Sequence, residues 1–137
     1  MRYTISQVAD RTGLTAYTLR YYDKQGLLPF VDRDKAGNRD FKESDFVWLD
    51  IITCLKKSGM PVKQIREYIK MCMEGDVTLT ERLTTFEAHK QAVLNQIDEL
   101  NKYLRKIDFK IDYYKTAIEA GTEAIHAQTN CTWLDIE

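Results

Sequence analysis

Residues 15–41 read TAYTLRYYDKQGLLPFVDRDKAGNRDF, a short polar-faced helix bearing Arg20, Tyr21 and Tyr22 that runs into a glycine-turned hairpin. Upstream, Ile5, Val8 and Ala9 have the spacing of one apolar helix face, Gly13 sits where a tight turn needs positive φ, and Thr15 is placed to cap the next helix. Ala9 permits close approach of the two helices, and Leu14 with Leu19 supplies the apolar contact between them. The pattern is a helix-turn-helix followed by a wing. It leaves Thr15, Ala16, Tyr17, Thr18 and Arg20 at the exposed start of the second helix, where side chains meet a major groove, so double-stranded DNA is the partner it points to.

In the hairpin, Asp34, Lys35, Ala36, Gly37 and Asn38 make a turn cluster between FVDR and RDF, flanks short enough to be strands. Arg33 and Arg39 then project beside the tip, and a solvated loop with idle arginines is the competing reading. Adjacent helix positions point about 100° apart, so one of Tyr21 and Tyr22 can join Leu19 and Leu28 in a core while the other faces phosphates. Arg20 is the stronger contact of the three, because a guanidinium binds a phosphate oxygen or a guanine edge bidentately.

Further on, Phe46, Val47, Leu49, Ile51, Ile52 and Leu55 predict a largely buried helix over residues 44–58, ended by Gly59. Pro61 opens another at its tolerated first-turn position, with Ile65, Tyr68 and Ile69 as the apolar face. Lys56, Lys57 and Lys63 are in reach of flanking phosphates, although solvation of a helix face is the commoner explanation for any one of them.

After a break at Glu74-Gly75-Asp76, a second signal begins. Leu79, Leu83, Phe86, Lys90, Val93, Ile97, Leu100, Leu104, Ile107, Ile111, Tyr114 and Ile118 alternate at intervals of four and three, an a/d seam in which only Lys90 is polar. A helix of that length spans about 60 Å, so a single chain of this size cannot bury its stripe and another helix must cover it. The readings divide the chain into a winged helix-turn-helix domain over 1–75, a coiled-coil dimerisation helix over 76–119 and a short tail over 120–137, a mainly α fold.

The net charge of −1 conceals an asymmetry: residues 1–70 carry 13 Lys and Arg against 9 Asp and Glu, whereas residues 71–137 carry 7 against 12. Only the first half has the balance of a phosphate-binding surface. No signal peptide or transmembrane run is present, and three cysteines cannot all pair within one chain, which fits a reduced, cytoplasmic setting without a membrane partner. His89 and His126 share no plausible site with a nucleophile, and there is no phosphate-cradling glycine loop. An enzyme is therefore not expected, and neither is a cofactor.

SQVADRTGLTAYTLRYYDKQGLLP, then GNRDF, then CLKKSGMPVKQIREYI, together resemble the DNA-binding half of the MerR family of bacterial transcription regulators. The resemblance is close over roughly the first half of the chain and architectural over the second. It implies a homodimer, joined by antiparallel long helices through Leu83, Phe86, Val93, Ile97, Leu100, Leu104, Ile107, Ile111 and Tyr114. Such a dimer sits on a pseudo-palindromic promoter with RNA polymerase and acts by distorting the DNA. Carried over residue by residue, it makes Thr15, Tyr17, Thr18, Arg20, Tyr21, Tyr22, Arg33, Arg39 and Lys63 DNA-binding residues. Phe41, standing where the family usually has a hydroxylated aromatic, is read as wing packing.

The resemblance also bears on the signal. One tail thiol, Cys131, with His126 makes a poor soft-metal site, so no metal is expected, and residues 119–137 are too few for an appended drug-binding domain. The chain is most similar to the short, thiol-based branch that responds to aldehydes and other electrophiles, whose reactive cysteine matches Cys54 in TCLKKSGMPV. Lys56 and Lys57 nearby favour a thiolate. An inert core cysteine is the bland alternative for Cys54, and Cys72 and Cys131 are weaker candidates. At the level of function, the alternatives are a dimeric repressor, a ligand-independent DNA-binding protein, or a sensor of an unmodified small ligand.

Overall fold

The computed structural model describes residues 1–127 and 130–137, with the side chains of residues 130–132 outside the description. The thiol of Cys131 therefore lies outside the described residues. The chain forms two compact units, Met1–His89 and Lys90–Glu137.

The first unit begins with strand β1 (Arg2–Tyr3) and helices α1 (Ile5–Thr12) and α2 (Ala16–Lys24). Thr4 and Gln7 close a capping box on α1, the Gln7 amide donating to Thr4 Oγ1 at 3.2 Å and the Thr4 amide to Gln7 Oε1 at 2.8 Å. Gly13 takes φ 75° and bonds back to the Ala9 carbonyl at 3.0 Å. A Cβ at Gly13 would meet nothing within 4 Å, so the turn needs glycine for its backbone angle alone. Thr15 caps α2 by accepting the Thr18 amide at 3.0 Å.

Strands β2 (Asp32–Arg33) and β3 (Arg39–Lys42) make the wing, and the sheet order is β1-β3-β2, antiparallel throughout. Residues Arg2 and Tyr3 pair with Lys42 and Phe41, an edge that the hairpin pattern did not reveal. At the wing tip Asp34 Oδ1 accepts the amides of Ala36 and Asn38, both at 2.9 Å, and Gly37 supplies φ 85°.

Helices α3 (Glu43–Lys57) and α4 (Val62–Glu74) close the core. Val8, Leu19, Leu27, Phe41, Leu49, Ile52, Ile65 and Ile69 are sealed inside it. The predicted burial of α3 fails at Val47, which is 62% exposed. Leu49, Ile52 and Leu55 define the inward stripe, and Val47 lies about 200° around the helix from Leu49. Asp45 is buried on the same helix, accepting the Lys42 amide at 3.0 Å on Oδ2 with the Lys42 ammonium 3.0 Å from Oδ1.

A 3-10 turn (Asp76–Thr78) joins α4 to α5 (Leu79–Ala120), a helix of 42 residues. The joint is polar and tight. Thr78 is buried with its Oγ1 2.6 Å from the Met71 carbonyl, and Arg82 donates to Thr78 Oγ1 at 3.0 Å and to the Gly75 carbonyl at 2.8 Å.

In the second unit the chain turns at Gly121 and folds back along α5 through 3-10 turns at Glu123–His126 and Asn130–Asp135. His126 stacks on Tyr113 with ring centroids 4.1 Å apart, and the Tyr113 hydroxyl donates to Glu123 at 2.8 Å. His126 Nε2 lies 2.7 Å from the Thr116 hydroxyl and 3.1 Å from the Tyr113 carbonyl. Lys106 and Lys110 lie over Trp133. The tail thus covers the 106, 110, 113, 117 stripe. It leaves the neighbouring stripe of Ile107, Ile111, Tyr114 and Ile118 open.

Candidate nucleic-acid interface

A cleft of about 420 Å³ opens between the first turn of α1, the exposed flank of α2 and the wing. Four arginines line it, Arg2, Arg20, Arg33 and Arg39, together with Thr4 and Gln7 of the α1 capping box. Arg20 and Lys63 are exposed and make no hydrogen bond or ion pair with the described residues, so their charges are uncommitted. Lys63 lies on α4 and is not among the residues lining this cleft.

Tyr17 stands 80% exposed in the first turn of α2, where an aromatic of that size is normally covered. Thr15 and Thr18 share a 2.9 Å hydroxyl hydrogen bond beside it. The tyrosine pair separates: Tyr21 is partly exposed and Tyr22 is 5% exposed, packed in the core. Burial pushes the Tyr22 phenol above its ordinary range. As a DNA contact Tyr22 is therefore corrected to a core residue, because α3 closes over the side of α2 on which it lies. Phe41 is fully buried, as its reading as wing packing requires.

The wing arginines do not stand free beside the tip. Arg33 donates to the Gly37 carbonyl at 2.9 Å and to Asp23 Oδ2 at 2.8 Å, and Arg39 Nε donates to the same Asp23 oxygen at 2.7 Å. Arg33 and Arg39 are also direct cross-strand partners, as are Asp32 and Asp40. Two like-charged pairs face each other across one short ribbon, an arrangement that disfavours pairing unless opposite charge is supplied. Asp23 supplies it from α2, and Arg2 supplies it from β1 at 2.7 Å to Asp32 and 3.9 Å to Asp40. Sequence reading missed Arg2, Asp23, Thr4 and Gln7; alternation of charge sign along the two flanks was the available signal.

Away from the cleft, Cys54 is exposed in the last turn of α3, contrary to the inert-core reading. Its carbonyl accepts the Ser58 hydroxyl at 2.7 Å, and that hydroxyl lies 2.7 Å from His89 Nε2. Cys72 is half-buried beside Tyr68, whose phenol is pushed up to about 12 by burial and by that neighbouring thiol.

Residues 3–72 match the family described as MerR HTH family regulatory protein. The chain belongs to the MerR family. It is a DNA-binding transcription regulator of that family and not an enzyme. An HTH-type transcriptional regulator of Haemophilus influenzae is 43% identical over 122 residues, covering 89% of this chain and 90% of that one. AdhR of Bacillus subtilis, an HTH-type transcriptional regulator, is 39% identical over 90 residues, 66% of this chain and 64% of that one. Among solved structures, HiNmlR, a MerR family regulator lacking the sensor domain and bound to promoter DNA, superposes with TM-score 0.82 at 42% identity, covering 91% of this chain and 99% of that one. Among the described residues, no helix is long and apolar enough to cross a membrane.

Proposed function

We propose that this MerR-family regulator binds a pseudo-palindromic promoter as a homodimer and distorts the DNA between the elements that RNA polymerase contacts. The observation that carries the reading is the cleft, in which the uncommitted Arg20 on α2 faces the same space as Arg39 on the wing. Thr15, Tyr17, Thr18 and Tyr21 extend this face along the recognition helix, with Lys63 as a flanking phosphate contact. A promoter complex of HiNmlR, similar over nine-tenths of this chain, supports it.

Dimerisation runs through the seam of α5. Leu83, Phe86, Ile97, Leu100, Leu104, Ile107, Ile111 and Tyr114 are all exposed in the single chain, and Val93 is half-covered. A stripe of that length is an interaction surface rather than scattered surface apolarity. Functionally the chain divides into DNA-binding residues 1–75, the dimer helix 76–119 and the tail 120–137.

For the signal, the reading is an aldehyde or other electrophile captured by Cys54. In support, Cys54 is exposed at the end of α3, whereas Cys72 is half-buried. Footprinting on the promoter upstream of its own gene, with transcription reconstituted in the presence and absence of an aldehyde, tests the whole reading. Protection of two half-sites with changed transcription supports it. Single-site protection, or a response that survives loss of Cys54, removes the corresponding part.

A further inference from the structure

We infer that Asp23, an acidic residue on the DNA-facing helix, strengthens DNA binding by aiming Arg39. The inference rests on the wing reading proposed above. Long-range electrostatics predicts the opposite sign, since a carboxylate beside a phosphate-binding cleft repels the ligand.

The geometry decides between them. Asp23 Oδ2 takes the Nε–H of Arg39 at 2.7 Å, so the carboxylate grips the guanidinium by its side. Both Nη groups of Arg39 are left without a partner among the described residues, on a side chain that lines the cleft. A guanidinium offers five N–H donors in a rigid fork, so one edge can be held by the protein while the other meets a phosphate. Arg33, by contrast, spends one Nη on Asp23 and the other on the Gly37 carbonyl, so it braces the hairpin.

Charge balance gives the second argument. Arg33 and Arg39 oppose each other across the ribbon, and with no anion between them their repulsion would turn Arg39 away from its present direction. Asp23 is mostly buried, at 22% side-chain exposure, and so is well placed to act on both. It is a positioning residue, acting on DNA only through Arg39.

The test uses the full-length protein and a mixed-sequence DNA duplex at low salt, because phosphate contacts carry no sequence information. Arg39→Ala should weaken binding about tenfold and flatten the salt slope by about one unit. Asp23→Ala should reproduce both changes, and the double variant should be no weaker than either. Arg39→Lys supplies the check that a mere loss of wing structure cannot mimic, since an ammonium is a point charge with no rigid fork to be aimed, and Asp23 then only offsets its charge. In that background Asp23→Ala should tighten binding by freeing the lysine, whereas with Arg39 present it weakens it. If Asp23→Ala shifts affinity in the same direction in both backgrounds, the inference is overturned and the wing reading stands. An Arg39→Ala protein that binds like the unaltered one overturns the wing reading and this inference together.

Discussion

Arg66, on α4, donates its Nε–H to the carbonyl of Gln25 at 2.5 Å and so holds the C-terminal end of the recognition helix. A second hydrogen bond, Nη2 to Gln25 Oε1 at 3.2 Å, makes the grip two-pronged. Gly26 next in sequence has φ 77°, and the Arg66 stem lies 3.6 Å from where a Cβ would be. Helix α4 thereby meets both the recognition helix and, through Tyr68 against Phe86 at 4.9 Å, the start of α5.

Arg66→Ala should therefore lower unfolding stability by about 1 kcal/mol, since the lost hydrogen bonds are exposed and partly replaced by water. Operator affinity should fall by more than stability alone explains, because the end of α2 loosens. Urea unfolding beside anisotropy titration separates the two effects; unchanged affinity would show that α4 does not set the recognition helix.

A pH dependence follows from Glu43. Arg11, with the Tyr3 hydroxyl, holds its carboxyl at about 2 against an ordinary 4.5. A depressed carboxylate stabilises the fold above its unfolded value, and that stabilisation is lost as pH falls from about 4.5 through about 2. Melting temperature should drop more steeply over this window for the unaltered protein than for Glu43→Gln, and the two curves should converge at the acid end. Parallel curves would mean that the Arg11–Glu43 pair does not couple to folding.

Ile97→Glu or Leu104→Glu should give monomers in sedimentation, with operator binding roughly 10³-fold weaker, near the non-specific level. The motive is the exposed seam, which the tail does not cover. A stable monomer of the unaltered chain would contradict the dimer.

Cys54→Ala should keep operator affinity within about twofold, as for an exposed substitution without partners, and abolish the response to an aldehyde. Cys72→Ala and Cys131→Ala should leave the response intact. Full induction of Cys54→Ala protein would remove the thiol switch.

What was legible in the sequence is what local physics dictates. Gly13, Thr15 and Gly75 mark helix ends by backbone angle and capping chemistry, and the seam announces α5 by its period. The MerR resemblance carried the same elements to a family. Strand β1 was not legible, because two residues have no periodicity and its pairing with β3 is set across 40 positions of sequence. Tyr21 and Tyr22 could be divided but not assigned, since only the placement of α3 tells which one is covered. Asp23 was invisible as a site residue for the same reason: its two arginines come from opposite strands of a hairpin. The tail stripe of Lys106, Lys110, Tyr113 and Ala117 is polar at two positions and so lacks an apolar signature, although its lysine stems and rings pack.

The central claim is that α2 reads bases while the wing holds the backbone, and one measurement addresses it directly. Affinities of the Arg20→Ala and Arg39→Ala proteins are compared on the promoter fragment and on a scrambled duplex of equal length. The account predicts that Arg20→Ala loses about 1 to 3 kcal/mol on the promoter alone, whereas Arg39→Ala weakens both duplexes alike. Equal affinity of the Arg20→Ala and unaltered proteins for the promoter fragment would contradict it.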